Sequence, residues 1–274
     1  MTRPVTLSIA GLDPSGGAGL IADIKTFLAN GVYGMGAVTC VTAQNTVKVS
    51  LVTPMTPEAL EDEIMTAISD IRPDAVKVGM MGTAELIRTV RGCLSGLDAP
   101  VVLDPVMISS SGTALLKEDA IDELKKFIPE VNLLTPNYPE AEFLAGENDT
   151  DTRSREKTGK PPEQLAELIG KKYHTAVLVK GGHLSTPDDY LYDGSSVKKY
   201  PGLHIENPNT HGTGCTLSSA IAANLAKGHD LSASVRLAKE YVTTIISAGL
   251  DLGAGHGPMD HGAALRGDFT EEYC

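Results

Sequence analysis

The chain alternates short, almost wholly apolar runs with longer stretches in which apolar residues recur every three or four positions. Residues 5–10 (VTLSIA), 36–43 (GAVTCVTA), 75–78 (AVKV), 101–107 (VVLDPVM), 133–134 and 175–179 (TAVLV) read as buried strands. Helical spacing runs through residues 20–29, 57–71, 120–127, 162–172, 216–226 and 231–248, with Thr56 and Pro57 forming a start signal for the second of these. Two short β-rich runs at 190–192 and 196–200 flank Gly194 and predict a hairpin. Strands that alternate with amphipathic helices predict one α/β domain over residues 1–274. Its helices would cover both faces of a mostly parallel sheet. Residues 148–162 (DTDTRSREKTGKPP and its neighbours) are polar and charged, and read as an exposed insertion.

Two strand-to-helix or loop-to-helix junctions are glycine-rich. GLDPSGGAG at 11–19 demands positive φ and close backbone approach. It lacks the GxGxxG order of a dinucleotide fingerprint, and neither glycine loop ends in the Lys-Ser or Lys-Thr of a phosphate-binding P-loop. The second junction, THGTGC at 210–215, opens directly into a helix. It reads either as an ordinary capped core helix or as an anion site, where first-turn N–H groups and the helix dipole converge. Cys215 lies at that mouth, where a thiol can be shifted towards thiolate. The same position predicts the most alkylation-prone of the four cysteines.

Other candidates stand at strand ends. Gln44 is either a polar turn residue or an amide able to pair with a heterocycle. Met80 is core filler or a pocket wall. Asp104 ends an apolar strand, at the edge where ligands of parallel sheets bind. Asn137 and Glu140 are one helical turn apart, and form either a helix cap or a pair of oxygen ligands for Mg²⁺. Lys180 ends the 175–179 strand, and residues 109–112 (SSSG) read as a lid.

Composition narrows the partners. A chain of 274 residues with 42% hydrophobic content can bury a large core, and its formal charge of -12 disfavours nucleic acid and acidic membrane surfaces. A phosphorylated small molecule remains compatible, held by local dipoles, a lysine and metal ions. Cys40, Cys93, Cys215 and Cys274 have no C-x-x-C spacing, so neither a zinc cluster nor a disulfide framework is expected. The first residues read as a strand rather than a signal peptide, and a cytoplasmic protein without membrane spans is expected.

Seven blocks and a tail motif carry a resemblance over nearly the whole chain: AGLDPSGGAGLIADIKTF, VTAQNT, VGMMG, VLDPVM, LTPNYPEA, VLVKGGH, NTHGTGCTLSSAIAANLA and then GHGPMDH. Together they resemble the ribokinase superfamily, and within it the hydroxymethylpyrimidine/phosphomethylpyrimidine kinases of thiamine biosynthesis. The resemblance implies a ribokinase-like three-layer sandwich and, with ATP and Mg²⁺, phosphorylation of an aminopyrimidine hydroxymethyl group and then of the monophosphate. It implies an anion hole at Gly212 and Gly214, with Cys215 as catalytic base and Thr213 and Lys180 at the nucleotide. It also implies that Gln44 reads the pyrimidine edge, with Gly11, Ala18, Met80 and Val106 around the ring and Asp23 close by. Asp104, Asn137 and Glu140 would organise the metal, and a homodimer is expected. Residues 108–112 lack the Cys or Lys that some relatives carry at the lid, which disfavours pyridoxal; a pyridoxal or pyridoxine kinase of the same fold is the alternative.

Overall fold

The structure, a computed structural model, describes residues 3–107, 116, 119–146, 159–182, 186–263 and 265. The predicted lid at 109–112 and most of the 148–162 insertion lie outside the described residues. Along the chain run β1 (Val5–Leu12), α1 (Gly19–Ala29), β2 (Tyr33–Gln44), β3 (Val49–Pro54), α2 (Pro57–Asp70), β4 (Ala75–Val78), α3 (Ala84–Leu94), β5 (Val101–Leu103) and α4 (Ala120–Phe127). They are followed by β6 (Leu133–Leu134), α5 (Tyr138–Ala145), α6 (Pro162–Tyr173), β7 (Ala176–Val179), β8 (Asp189–Tyr192), β9 (Val197–Tyr200), α7 (Thr213–Ala226) and α8 (Leu231–Ser247). The strands form one sheet in the order β3-β2-β1-β4-β5-β6-β7-β8-β9. Pairings from β2 through β7 are parallel, and β3 and the β8–β9 hairpin add antiparallel edges.

The apolar strand runs are explained by burial on both faces. Leu7, Ile9, Val76, Val78, Leu103 and Leu134 point into a core shared with α2 to α6. Their alternates Val102, Leu133 and Leu178 point into a second core with α1, α7 and α8. The expected three-layer α/β arrangement is therefore present. The small residues of α7, including Ser218, Ser219, Ala220 and Ala223, are all buried, which lets that helix lie close to the sheet.

The pleat also puts two polar residues on the α1–α7 face. Ser8 and Lys77 are register partners on β1 and β4, flanked by residues of the other core. Both are fully buried, so they must find partners within the protein.

Two elements go beyond the sequence reading. Helix α3 is capped by Thr83, whose hydroxyl accepts the Leu86 N–H at 3.3 Å, and it buries Leu86, Ile87 and Val90. Strand β3 follows a turn in which Asn45 Oδ1 accepts the N–H groups of Val47 and Lys48, each at 3.0 Å. Its residues are mostly exposed, so it carries no core-facing alternation. The strand expected over 101–107 ends at Leu103, which leaves Asp104 just beyond the sheet edge. That edge, at the carboxyl ends of β1, β4, β5, β6 and β7, collects the candidate residues. Among the described residues no helix is long and apolar enough to cross a membrane.

Candidate active site

Two glycine loops meet at this edge. In the first, Asp13 ties the turn together: Oδ1 accepts the Ser15 N–H at 2.9 Å and its hydroxyl at 2.7 Å, and Oδ2 accepts the Ala18 N–H at 3.1 Å. In the second, Gly212 caps α7 with φ of 80°. A Cβ on Gly212 would stand 1.9 Å from the Gly17 carbonyl oxygen, so the loops touch backbone to backbone and only glycine fits. The Thr210 carbonyl accepts the Thr213 N–H at 3.2 Å. Among the described residues the amides of Gly214 and Cys215 have no backbone acceptor, which gives the loop-to-helix junction the donors an anion requires.

Cys215 is half-buried in this first turn. The expectation of a thiol shifted towards thiolate does not hold. Burial pushes the Cys215 thiol up, and Asp23 and Asp104 reinforce that, against the opposing pull of Lys77 and the Gly19 N–H. Cys40 and Cys93 are also pushed up, chiefly by burial.

Asp23, expected close to the substrate ring, lies beneath the site with no exposed surface. Its Oδ2 accepts the Ser8 hydroxyl at 2.6 Å and the Lys77 ammonium at 2.7 Å, and its Oδ1 accepts the Ser219 hydroxyl at 2.7 Å. These contacts join β1, β4, α1 and α7 under Cys215. Ser219 stands one turn after that cysteine.

On the other side of the α7 terminus, Lys180 Nζ lies 2.8 Å from Asp104 Oδ1, and the Ser218 hydroxyl lies 3.3 Å from Asp104 Oδ2 and 3.0 Å from the Gly214 and Cys215 carbonyls. A Cβ on Gly214 would stand 3.1 Å from that ammonium, so the lysine borders the helix terminus directly. Burial would lower the Lys180 pKa, but Asp104 and Glu140 outweigh it and hold the group above its ordinary value.

Asn137 and Glu140 form a capping box: Asn137 Oδ1 accepts the Glu140 N–H at 2.9 Å, and Glu140 Oε2 accepts the Asn137 N–H at 2.8 Å. Glu140 also accepts the Met107 N–H at 3.3 Å. Burial, with help from Asp104, pushes its carboxyl up to about 7 against the pull of Lys180.

The oxygen donors fit a hard cation. No group of three or more His, Cys, Asp or Glu among the described residues is placed to hold a metal ion. Asp104 and Glu140 nevertheless act on one another electrostatically beside Lys180. Such a pair suits magnesium held largely through water and nucleotide phosphates rather than by a protein cage.

Gln44 reaches the site from the end of β2. Its Nε2 is 3.4 Å from Asp13 Oδ2 and 3.1 Å from His211 Nε2, and His211 Nε2 is 2.8 Å from Asp13 Oδ2. Gly11 and Met80 pack around Cys40: a Cβ on Gly11 would meet Cys40 Sγ at 2.8 Å, and Met80 Sδ is 3.9 Å from that sulfur. Ala18 joins the first group through Asp13. Val106 is half-buried and donates its N–H to the Asp104 carbonyl at 2.8 Å. The GHGPMDH segment closes over α7, pairing His211 with Pro258 and placing His261 Nε2 3.0 Å from the Thr216 hydroxyl. The sequence reading missed Asp13, His211 and Lys77. Their signals were an acid inside a glycine loop, a histidine directly before the helix cap, and a charge inside an apolar strand.

This geometry is a helix terminus with open amides, flanked by a lysine–carboxylate pair on one side and an amide-bearing cluster on the other. The model of the phosphomethylpyrimidine kinase family matches residues 13–260. The chain belongs to that family. It is 42% identical over 270 residues to the hydroxymethylpyrimidine/phosphomethylpyrimidine kinase of Streptomyces coelicolor, covering 97% of each chain. Among solved structures, the phosphomethylpyrimidine kinase of Clostridium difficile is 39% identical with a TM-score of 0.73, over 88% of this chain and 98% of that one. An ADP complex of Bacillus subtilis pyridoxal kinase is 32% identical with a TM-score of 0.85, over 96% of this chain and 98% of that one. The ribokinase-like fold expected from the sequence is thereby shown, as is a phosphotransferase of the thiamine pathway's pyrimidine kinase family.

Proposed function

We propose that the protein transfers the γ-phosphoryl group of ATP to the hydroxymethyl oxygen of 4-amino-5-hydroxymethyl-2-methylpyrimidine, and then phosphorylates the monophosphate to the diphosphate. The observation that carries the reading is the α7 terminus itself. Gly212, Thr213, Gly214 and Cys215 stand between the Lys180–Asp104 pair and the Gln44 cluster, so one anion site separates a nucleotide side from a heterocycle side. The ADP complex of the related pyridoxal kinase supports nucleotide binding by this fold.

Phosphoryl transfer depends mostly on positioning and charge neutralisation. The amides of the α7 first turn would stabilise the equatorial phosphoryl oxygens. Lys180 would offset phosphate charge, and Cys215 would orient the attacking hydroxyl and, in its thiolate form, take its proton. Gly11, Ala18, Met80 and Val106 would enclose the ring, with Asp23 supporting from below. Magnesium, when bound, supplies further neutralisation of the phosphates, and Asp104, Glu140 and Asn137 are the residues that would hold it or its waters. Asp104→Asn and Glu140→Gln are therefore expected to raise the Mg²⁺ concentration for half-maximal rate more than the pyrimidine KM. Equal changes in both would reduce these residues to a cap and an ion pair.

Coupled ADP release with the pyrimidine and with pyridoxal as alternative acceptors tests the reading. The pyrimidine should give the larger kcat/KM. Faster turnover of pyridoxal would favour a pyridoxal kinase, a reading supported by the 32% identical structural relative, and no ADP release with either would indicate a non-catalytic binder. Gln44→Leu is expected to raise the pyrimidine KM by one to two orders of magnitude, about 1–3 kcal/mol for a buried partner left unpaired, with ATP KM unchanged. An unchanged pyrimidine KM would remove Gln44 from the site.

The one continuous sheet supports a single kinase domain. Self-association is supported by the open edge of the β2–β3 hairpin, where Val41, Val47 and Leu51 are 43–60% exposed. Free thiols at Cys40, Cys93 and Cys215 suit the cytoplasm.

A further inference from the structure

We propose that Asp189 is a positioning residue for the nucleotide side of the site: it locks the peptide after Lys180 and so fixes the Lys180 ammonium beside the α7 terminus. This rests on the reading that Lys180 faces the nucleotide phosphates, and it adds what holds that lysine in place.

The end of β7 carries the argument. Pairing between β7 and β8 stops at Val179 and Tyr190, one residue before Lys180. The two N–H groups that flank the Lys180 Cα find their partners outside that ladder. The Lys180 N–H donates to the Pro136 carbonyl at 2.9 Å, just past β6. The Gly181 N–H donates to Asp189 Oδ1, also at 2.9 Å. The first bond holds the peptide before Lys180 and the second the peptide after it, so both backbone torsions of the lysine are set.

Gly181 is buried, and a Cβ there would stand 1.9 Å from the Asp188 carbonyl oxygen. Only glycine lets the chain turn this closely against the start of β8. A glycine restrains its own backbone least, which leaves the Asp189 carboxylate to hold that peptide in one orientation.

The carboxylate is itself anchored. Its Oδ2 lies 2.6 Å from Lys239 Nζ of α8, with the acid side chain 7% exposed and the lysine 15%. Lys239 also donates to the Pro187 carbonyl at 3.0 Å. Charge-assisted contacts of this kind are stronger than neutral hydrogen bonds. One chain of contacts thus runs from α8 through Lys239, Asp189 and Gly181 to Lys180, whose ammonium meets Asp104 at 2.8 Å.

Asp188 supplies the contrast. It is as buried as Asp189, each being 5% exposed. It too accepts a backbone N–H, from Gly202 at 2.9 Å, and pairs with a lysine, Lys199 Nζ at 2.6 Å. Those partners lie on β9 and just beyond it. Of two adjacent acids with the same kinds of partner, only the Asp189 side chain is joined to the segment that carries Lys180.

The test measures ADP release by the whole chain and, by calorimetry, its binding of MgADP. Asp189→Ala should raise the ATP KM and the MgADP Kd about tenfold, the effect of losing one hydrogen-bonded positioning contact, and leave the pyrimidine KM unchanged. Asp188→Ala should lower the thermal midpoint comparably but leave the ATP KM unchanged. Asp189→Asn turns an amide N–H towards Lys239 whenever its carbonyl faces Gly181, so it should behave like Asp189→Ala. Adding Lys239→Met removes that conflict, and the double variant should recover most of the ATP KM. In a Lys180→Met background Asp189→Ala should add nothing. Equal rises in ATP KM for the two alanine variants, or effects that multiply in the Lys180→Met background, would reduce Asp189 to an acid that merely supports the fold. If Lys180→Met raises the ATP KM while Asp189→Ala does not, only the anchor fails. If Lys180→Met itself changes nothing, the reading of Lys180 fails, and the anchor with it. Should Asp189→Ala not fold, Asp189→Asn takes its place in these comparisons, with the double variant as its rescue.

Discussion

Cys215→Ala is expected to lower kcat by about 10²-fold or more, as loss of a general base typically does, with only a modest change in the KM of either substrate. An interaction made mainly in the transition state shows itself in that way. Cys215→Asp should keep more activity than Cys215→Ala, because a carboxylate can accept the same proton. The structure changes the chemistry behind this expectation. Burial, Asp23 and Asp104 together favour the neutral thiol, so Cys215 is not a standing thiolate in the free protein. Its reaction with iodoacetamide should therefore be slow at neutral pH and still be rising above the ordinary thiol midpoint of about 8.5. Pyrimidine should protect it. Fast alkylation at neutral pH, or near-normal turnover by Cys215→Ala, would mean that orientation and charge neutralisation carry the reaction without this thiol.

What was legible in the sequence follows from what each residue had to signal. Continuous apolar runs such as VVL at 101–103 announced strands covered on both faces, and the glycine at 212 announced a loop position that only glycine can fill. Helix α3 left a readable apolar spacing but was overlooked between two clearer motifs. Strand β3 could not be read, because an exposed edge strand buries nothing and so imposes no alternation. The site residues divide in the same way. Gln44, Asp104 and Lys180 stand at strand ends, where sequence position alone implies the ligand edge. The Asp13–His211 contact joins residues 198 positions apart in the chain. Only the packing of the two glycine loops creates it, and no local pattern predicts that. The misjudged thiol has a related cause. Position at a helix terminus is visible in the sequence, whereas the burial and acidic neighbours that push the thiol up are tertiary facts.

Lys77 teaches the same lesson and carries the largest expected effect on stability. A lysine inside AVKV, on a strand covered on both faces, has no solvent to reach. Its side chain and that of Asp23 are both 0% exposed, and their charged atoms are 2.7 Å apart. Burial works to lower its pKa, but Asp23, Cys215 and Asp104 overcome that and hold Lys77 well above its ordinary value. Lys77→Met would leave Asp23 as a buried carboxylate with only the Ser8 and Ser219 hydroxyls. Breaking a buried pair in this way costs about 3–5 kcal/mol, which for a chain of this size is a fall on the order of 10 °C in the unfolding midpoint. The sign of the pH dependence is fixed. A lysine whose folded pKa is raised contributes its full stabilisation below the unfolded value near 10.5 and loses it only as pH rises further. Lys77→Met combined with Asp23→Leu should recover much of the loss, because it removes the stranded charge as well as its partner. The pair also lies under the first turn of α7, where Lys77 pulls the Cys215 thiol down and Ser219 ties the helix to Asp23. Lys77→Met should thus move the pH dependence of Cys215 alkylation to still higher pH and lower kcat more than it raises the ATP KM. A stable Lys77→Met protein with unchanged alkylation would show that the ion pair neither holds the layers together nor sets the charge beneath the first turn of α7.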